Sequence, residues 1–149
     1  MFSRRGFLGC GFAAGLLPVL GADNPRIARI GLMTDTHVED TMESCGRVKL
    51  ALELFKAKSA EMVLNCGDVA DYHCNEGYRC YRRTFNSVYP DAASRPKELY
   101  AYAWHDTYKF AGGSAVAYEE MRQNLEAPNA HPCDFVWKGL PFAVMPQDV

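Results

Sequence analysis

The sequence predicts an α/β fold in which the first two strands are parallel. Residues 26–34 (RIARIGLMT) and 62–65 (MVLN) are short apolar runs, which is typical of buried strands. Between them, residues 42–60 carry apolar side chains at helical spacing, which predicts an amphipathic helix. The order strand, helix, strand favours parallel strands joined by a right-handed crossover.

The remaining elements follow in chain order. A polar loop at 35–41 links the first strand to the helix. The later pattern predicts a helix at 76–88, a loop at 90–96, a strand at 98–104, a helix at 115–125, and a hairpin with strands at 135–137 and 142–145. The first of these helices has an aromatic face, which is interpreted as core rather than as a substrate platform.

Length and composition indicate a single globular domain. The chain has 149 residues, of which 48% are hydrophobic and 23% charged, and these values argue against disorder. The formal net charge is −2 and the sequence has no basic stripe, which argues against a nucleic-acid partner. No apolar segment reaches the length that a membrane-spanning helix needs.

The first 22 residues have the pattern of an export signal. A basic start with Arg4 and Arg5 precedes a nearly uncharged run rich in Gly, Ala and Leu, which closes on small residues. The Arg4-Arg5 pair resembles the twin-arginine signal. This implies a bacterial protein that the twin-arginine translocation machinery exports in folded form, so that it is periplasmic or secreted. If this leader is cleaved, residues 23–149 are expected to form the mature domain. The alternative is an uncleaved N-terminal anchor.

Acidic and imidazole side chains follow each of the three predicted strands. In chain order they are Asp35 and His37, Asp68 and Asp71, and His105 and Asp106. Because ligands bind at the carboxyl ends of parallel strands, these groups are expected to meet at one edge of the sheet. Carboxylate oxygens together with imidazole nitrogens suit zinc and transition metals better than calcium. The alternative is that the aspartates are turn formers or helix caps and that His105-Asp106 is a polar strand end.

The two motifs after the first strands resemble a known family. Asp-x-His followed by Gly-Asp-x-x-Asp is similar to the opening motifs of calcineurin-like metallophosphoesterases. The resemblance implies their fold, a β-sandwich flanked by helices (αββα layers), of which residues 23–149 are the N-terminal part and which is incomplete at the C-terminus. It also implies two divalent ions (manganese, iron or zinc) and a phosphate-ester substrate. By position it assigns Asp35 and His37 as metal ligands, Asp68 as a bridging ligand, Asp71 as an outer carboxylate, His105 as the phosphate-contacting residue, and Asp106 as the group that orients the His105 ring.

The sequence departs from the family pattern at the second metal. The third family motif reads Gly-Asn-His-Asp or Gly-Asn-His-Glu, whereas residues 103–106 read Ala-Trp-His-Asp. Trp104 thus stands where the family has a metal-binding Asn, and an indole offers no lone pair to a hard cation. The family's late Gly-His-x-His is not found in these 149 residues. His73 is either a replacement ligand or a solvated loop histidine.

The expected activity is hydrolysis of phosphate monoesters or diesters. The resemblance implies attack by a metal-bound hydroxide while His105 protonates the departing alkoxide. Two other hypotheses remain open. One is a metal-binding domain that is catalytically inactive or truncated, and the other is a binding module whose acidic loops bind no metal.

Of the six cysteines, Cys10 lies in the predicted leader, and the five that remain fit no simple set of disulfides. Cys74 and Cys80 are expected to be able to pair in an oxidising compartment. Cys66 ends a predicted buried strand, where a free cysteine acts as a small hydrophobe. No chemistry is assigned to any of them.

Overall fold

The computed structural model describes residues 15–16, 28–71, 74–107, 114–127 and 134–143. The strands are β1 (Gly15–Leu16), β2 (Ile30–Met33), β3 (Met62–Asn65), β4 (Lys97–Tyr100), β5 (Asp134–Trp137) and β6 (Leu140–Ala143). The helices are α1 (Met42–Ala57), α2 (Asn75–Val88), α3 (Trp104–Thr107) and α4 (Ser114–Asn124), with a 3-10 turn at Ala92–Ser94.

Four strands form one sheet in the order β1-β2-β3-β4. Strands β2, β3 and β4 are parallel to one another, and β1 pairs antiparallel with β2. The predicted parallel arrangement, with α1 as the crossover from β2 to β3, is therefore confirmed. Met33, Asn65 and Tyr100 are neighbours in the pairing register, so these three strands end together at one edge of the sheet.

Helices α1 and α2 cover one face of this sheet. Phe55 of α1 packs so closely on Gly31 of β2 that a Cβ at that position would lie 2.6 Å from the Phe55 ring. Tyr81 of α2 is on the same face, where its hydroxyl contacts the sulfur of Met33 at 3.7 Å and its ring lies 5.7 Å from that of Tyr100. The aromatic residues of α2 are fully buried in this cluster, which confirms their interpretation as core.

The described residues show a mixed α/β fold with a parallel sheet. Strands β5 and β6 form a separate antiparallel hairpin, and the second sheet of the αββα sandwich stays a prediction. The predicted leader, apart from β1, lies outside the described residues, as do His73 and Cys133. Among the described residues, no helix combines the length and the apolar character that crossing a membrane requires.

The predicted strand at 98–104 is too long. Strand β4 ends at Tyr100, and α3 begins at Trp104. The chain turns because the Ala103 amide donates to the side chain of Asp106 at 3.0 Å, and the Asp106 amide donates to the Ala103 carbonyl at 3.1 Å. This local hydrogen bonding overrides the strand propensity of the aromatic residues.

Two further boundaries differ from the prediction. Helix α1 ends at Ala57 rather than at residue 60, because Ser59 adopts a left-handed conformation with φ of 54°. In the hairpin, Lys138 and Gly139 have φ of 51° and 77°, as a tight two-residue turn between antiparallel strands requires. Strand β6 therefore begins at Leu140, before the predicted start.

Cys45 and Cys80 form a disulfide between α1 and α2, with their Cα atoms 6.2 Å apart. The predicted pairing of Cys74 with Cys80 is wrong, because Cys80 is buried in the core cluster while Cys74 precedes α2 as a free thiol. The prediction that Cys66 is buried is also wrong. It lies one residue beyond β3, where it is exposed.

Candidate metal centre

The loops that follow β2 and β3 run side by side beyond the ends of the strands. The amide of Asp35 donates to the carbonyl of Gly67 at 3.1 Å, and the amide of His37 donates to the carbonyl of Asp68 at 3.0 Å. Val38 and Ala70 then form one more parallel bridge. Parallel pairing thus continues past the sheet edge, and it brings the side chains of the two sequence motifs together.

Backbone strain is concentrated in these loops. Asp35, His37 and Asp68 have φ of 52°, 40° and 50°, the left-handed region that L-residues rarely occupy. Each such residue costs about 1–3 kcal/mol, and residues of this kind cluster at functional sites. Gly67 has φ of 107°, and a Cβ there would lie 2.7 Å from the Cβ of Ala103, so the turn before Asp68 requires glycine.

The His37 ring lies between two carboxylates. Its Nε2 is 3.9 Å from Oδ1 of Asp35 and 3.9 Å from Oδ2 of Asp68. These distances are too long for hydrogen bonds. Two ligand atoms that share one tetrahedral cation at 2.0–2.2 Å lie roughly 3.4 Å apart, so the observed spacing is close to that of ligands around a common ion.

Three residues offer donor atoms that lie within 4.8 Å of one another, namely His37, Asp68 and His105. Asp35, predicted as a ligand with His37, approaches the Nε2 of that ring but is 54% exposed, and it accepts a hydrogen bond from the hydroxyl of Thr34 at 2.7 Å. The structure therefore places His105 in the donor group, with Asp35 at its outer side. Two imidazoles and a carboxylate fit a zinc or transition-metal ion by donor type.

Asp71 contacts both histidines of this group. Its Oδ1 is 3.2 Å from Nδ1 of His37 and 3.1 Å from Nδ1 of His105. The two rings are perpendicular, with centroids 4.5 Å apart. Carboxylates that contact one nitrogen of a histidine ring commonly orient the other nitrogen towards a metal. In this arrangement, Nε2 of His37 is the nitrogen left for a cation.

Asp106 is a buried carboxylate that accepts several hydrogen bonds. Its side chain is 1% exposed, and Oδ1 accepts hydrogen bonds from the Val69 amide at 3.0 Å and the Tyr78 hydroxyl at 2.9 Å. Oδ2 accepts from the Ala103 amide at 3.0 Å. Asp106 therefore joins the loops after β3 and β4, and its role in orienting the His105 ring stays a prediction.

Burial raises the pKa of Asp106 to about 6, and hydrogen bonds from Ala103, Tyr78 and Ala70 oppose that rise. The charge of Asp68 adds to it. The same burial and the nearby Asp106 raise the pKa of Tyr78 far above its usual range, so this phenol stays protonated and donates to the carboxylate. No local sequence pattern signals this pair, because 28 residues separate its members.

A cavity of about 300 Å³ opens beside the carboxylates. The residues that line it are Thr34, Asp35, Cys66, Asp68, Ala101, Tyr102 and Ala103. Although Cys66 is exposed at the surface, protein atoms around its sulfur desolvate the thiol, and this desolvation together with the charge of Asp35 raises its pKa and favours the neutral form. A neutral thiol is a weak nucleophile, and Cys66 is one of the residues that line the cavity.

No protein-family model matches the sequence, and no curated protein matches it. Among solved structures, the chain is similar to a dimetal phosphatase from Danio rerio. The TM-score is 0.39 and the sequence identity is 16%, and the match covers 60% of this chain and 35% of the phosphatase. The matched region thus spans about a third of that protein. Support for a metal site in this chain comes from the geometry of its own side chains.

Trp104 stands where the family resemblance expects an amide ligand. Its indole is 49% exposed and lies 5.2 Å from the ring of His105, with an interplanar angle of 85°. The three donor residues described above lie close enough together to share one ion. His73, the other replacement ligand considered, lies outside the described residues.

Proposed function

We propose that this chain is a divalent-metal-dependent hydrolase of phosphate monoesters or diesters. The observation that carries the proposal is the position of His37, whose Nε2 lies 3.9 Å from a carboxylate oxygen of both Asp35 and Asp68. The loops place Asp35, His37 and Asp68 in the left-handed region of backbone conformation, and Nε2 of His37 is too far from either carboxylate oxygen for a hydrogen bond.

The residues proposed to hold the cation are Asp35, His37 and Asp68, with His105 next to them. Manganese, iron and zinc fit these donors. A divalent ion bound there would supply charge for the phosphoryl oxygens and would lower the pKa of a water. A second ion, expected from the family resemblance, remains a prediction.

The chain's own residues would position the substrate and move a proton. Asp71 is hydrogen-bonded to Nδ1 of His37 and so directs Nε2 of that ring towards Asp35 and Asp68. The amide of His105 donates to Oδ1 of Asp68 at 2.9 Å, which holds that carboxylate with Oδ2 towards His37. We propose that His105 contacts the phosphate and donates a proton to the leaving oxygen.

We expect Mn²⁺ or Zn²⁺ to raise the melting temperature of the chain and to support hydrolysis of a chromogenic phosphate ester. A ligand that binds only the folded state stabilises it by about 2.7 kcal/mol at a hundred times its dissociation constant. Differential scanning fluorimetry with and without EDTA, followed by an assay with p-nitrophenyl phosphate and its bis ester, measures both effects. Stabilisation without hydrolysis supports the alternative of an inactive metal-binding domain, and the absence of both contradicts the proposal.

We also propose that the protein acts outside the cytoplasm. The Cys45–Cys80 disulfide supports this, because disulfides persist in oxidising compartments. Replacing Arg4 and Arg5 together by lysine should retain the protein in the cytoplasm, because the twin-arginine pair is the feature that the export receptor is expected to bind. Fractionation of bacterial cells with an antibody against the chain measures this. Unchanged periplasmic yield from the double variant contradicts twin-arginine export.

A further inference from the structure

Trp104 places an exposed aromatic surface beside the candidate metal centre. Tryptophan is usually largely buried, but this indole is 49% exposed. Its ring lies 5.2 Å from that of His105, and the His105 ring lies 4.5 Å from that of His37. The donor group is therefore bordered by an apolar, planar side chain that solvent can reach.

Hydrogen bonds fix the backbone on both sides of this tryptophan. The preceding amide, of Ala103, donates to Asp106, and the following amide, of His105, donates to Asp68. The same contacts that build the donor group thus set the position of the indole. Little backbone freedom would be lost when a ligand packs against it, which favours binding.

We propose that Trp104 is a specificity residue that stacks against the aromatic group of an aryl or nucleoside phosphate ester. This inference rests on the proposed function, because it takes the phosphate to lie at His37, Asp68 and His105. Stacking of a base on an aromatic side chain raises affinity by about 5-fold to 150-fold. An alkyl ester has no aromatic ring and so cannot gain this affinity. The substrate class is therefore an ester with an aromatic group close to phosphorus.

Binding of phosphonates tests the inference without catalysis. Calorimetric titration of the Mn²⁺-supplied protein with phenylphosphonate and methylphosphonate compares ligands that differ in the aromatic ring. We expect Trp104→Ala to weaken the affinity for phenylphosphonate about tenfold and to change the affinity for methylphosphonate less than twofold. Trp104→Phe should retain most of the wild-type preference for phenylphosphonate over methylphosphonate. Trp137→Ala, in the β5–β6 hairpin, is the matched control and should leave both affinities unchanged.

Hydrolysis provides the second measurement. For Trp104→Ala we expect KM to rise about tenfold for phenyl phosphate and to stay unchanged for glycerol phosphate, with kcat altered little. Comparing variant with wild type on the same ester removes the effect of leaving-group acidity. Equal losses with both esters, a Trp104→Phe variant as weak as Trp104→Ala, or wild-type protein that binds neither phosphonate would each overturn the inference.

The two proposals fail in different ways. If wild-type protein hydrolyses no ester but prefers phenylphosphonate through Trp104, the proposed function is wrong and the stacking surface stands. If wild-type protein hydrolyses both esters and Trp104→Ala loses no preference for phenyl phosphate, the stacking surface is wrong and the proposed function stands.

Discussion

Asp68→Asn is expected to abolish metal binding and hydrolysis while leaving the fold intact. In the wild-type protein the His105 amide donates a hydrogen bond to Oδ1 of Asp68 at 2.9 Å. The side-chain oxygen of the substituted Asn can accept the same bond. The other atom becomes an NH₂ group, which has no lone pair for a cation and carries no charge. Mutation of a residue that only hydrogen-bonds to a metal ligand already lowers metal affinity or activity by about 10–100-fold. The loss of a direct ligand should therefore lower both by more than about 100-fold.

Isothermal titration with Mn²⁺ and a phosphodiester assay measure these two losses. Asp91→Asn is a matched control, because Asp91 caps the 3-10 turn at residues 92–94 and Asn can keep that cap. His105→Ala should leave a measurable fraction of the hydrolytic activity, because the proton donor contributes less than the charge of the cation. Activity of Asp68→Asn equal to that of wild type would exclude the proposed mechanism.

Asp106→Ala is expected to destabilise the protein by about 3 kcal/mol or more. The change removes the acceptor for the Val69 amide, the Ala103 amide and the Tyr78 hydroxyl, all of which are buried or close to the sheet edge. Each buried donor left without a partner costs about 1–3 kcal/mol. The loops after β3 and β4 should separate, so the metal affinity should fall together with the stability.

Urea unfolding of the metal-free protein measures the loss of stability, and hydrogen exchange at Val69 and Ala103 shows where it occurs. Asp40→Ala is the matched control, since Asp40 forms an exposed ion pair with Arg83 that should contribute less than about 1 kcal/mol. The loss of stability of Asp106→Asn should lie between those of Asp106→Ala and Asp40→Ala. Asn keeps one acceptor oxygen but turns an NH₂ group towards one of the donors. A loss below about 1 kcal/mol for Asp106→Ala would show that the loops do not depend on this carboxylate.

The elements that the sequence predicted best are those with a strong periodic pattern. The apolar run at Met62–Asn65 and the amphipathic pattern of α1 begin at the predicted residues. Boundaries set by contacts between distant residues were not predictable. Strand β4 ends early through hydrogen bonds to Asp106, and the disulfide joins Cys45 to a cysteine 35 positions away.

The candidate site also has some features that the sequence predicted and others that depend on the tertiary structure. That Asp35, His37 and Asp68 lie at one edge of a sheet follows from the position of each at the end of a parallel strand. That Asp71 contacts both histidines, and that His105 joins His37 and Asp68 as a donor, depends on side-chain positions in loops with no regular pattern.

The sequence by itself determined the parallel strands, the crossover helix and the edge at which the polar groups collect, because hydrophobic periodicity and residue order suffice for these. Only the tertiary structure decided which donors converge, where Asp106 is buried and that Trp104 is exposed beside His105. The physical reason is that left-handed backbone conformations and hydrogen bonds between residues 28 to 37 positions apart set these side-chain directions.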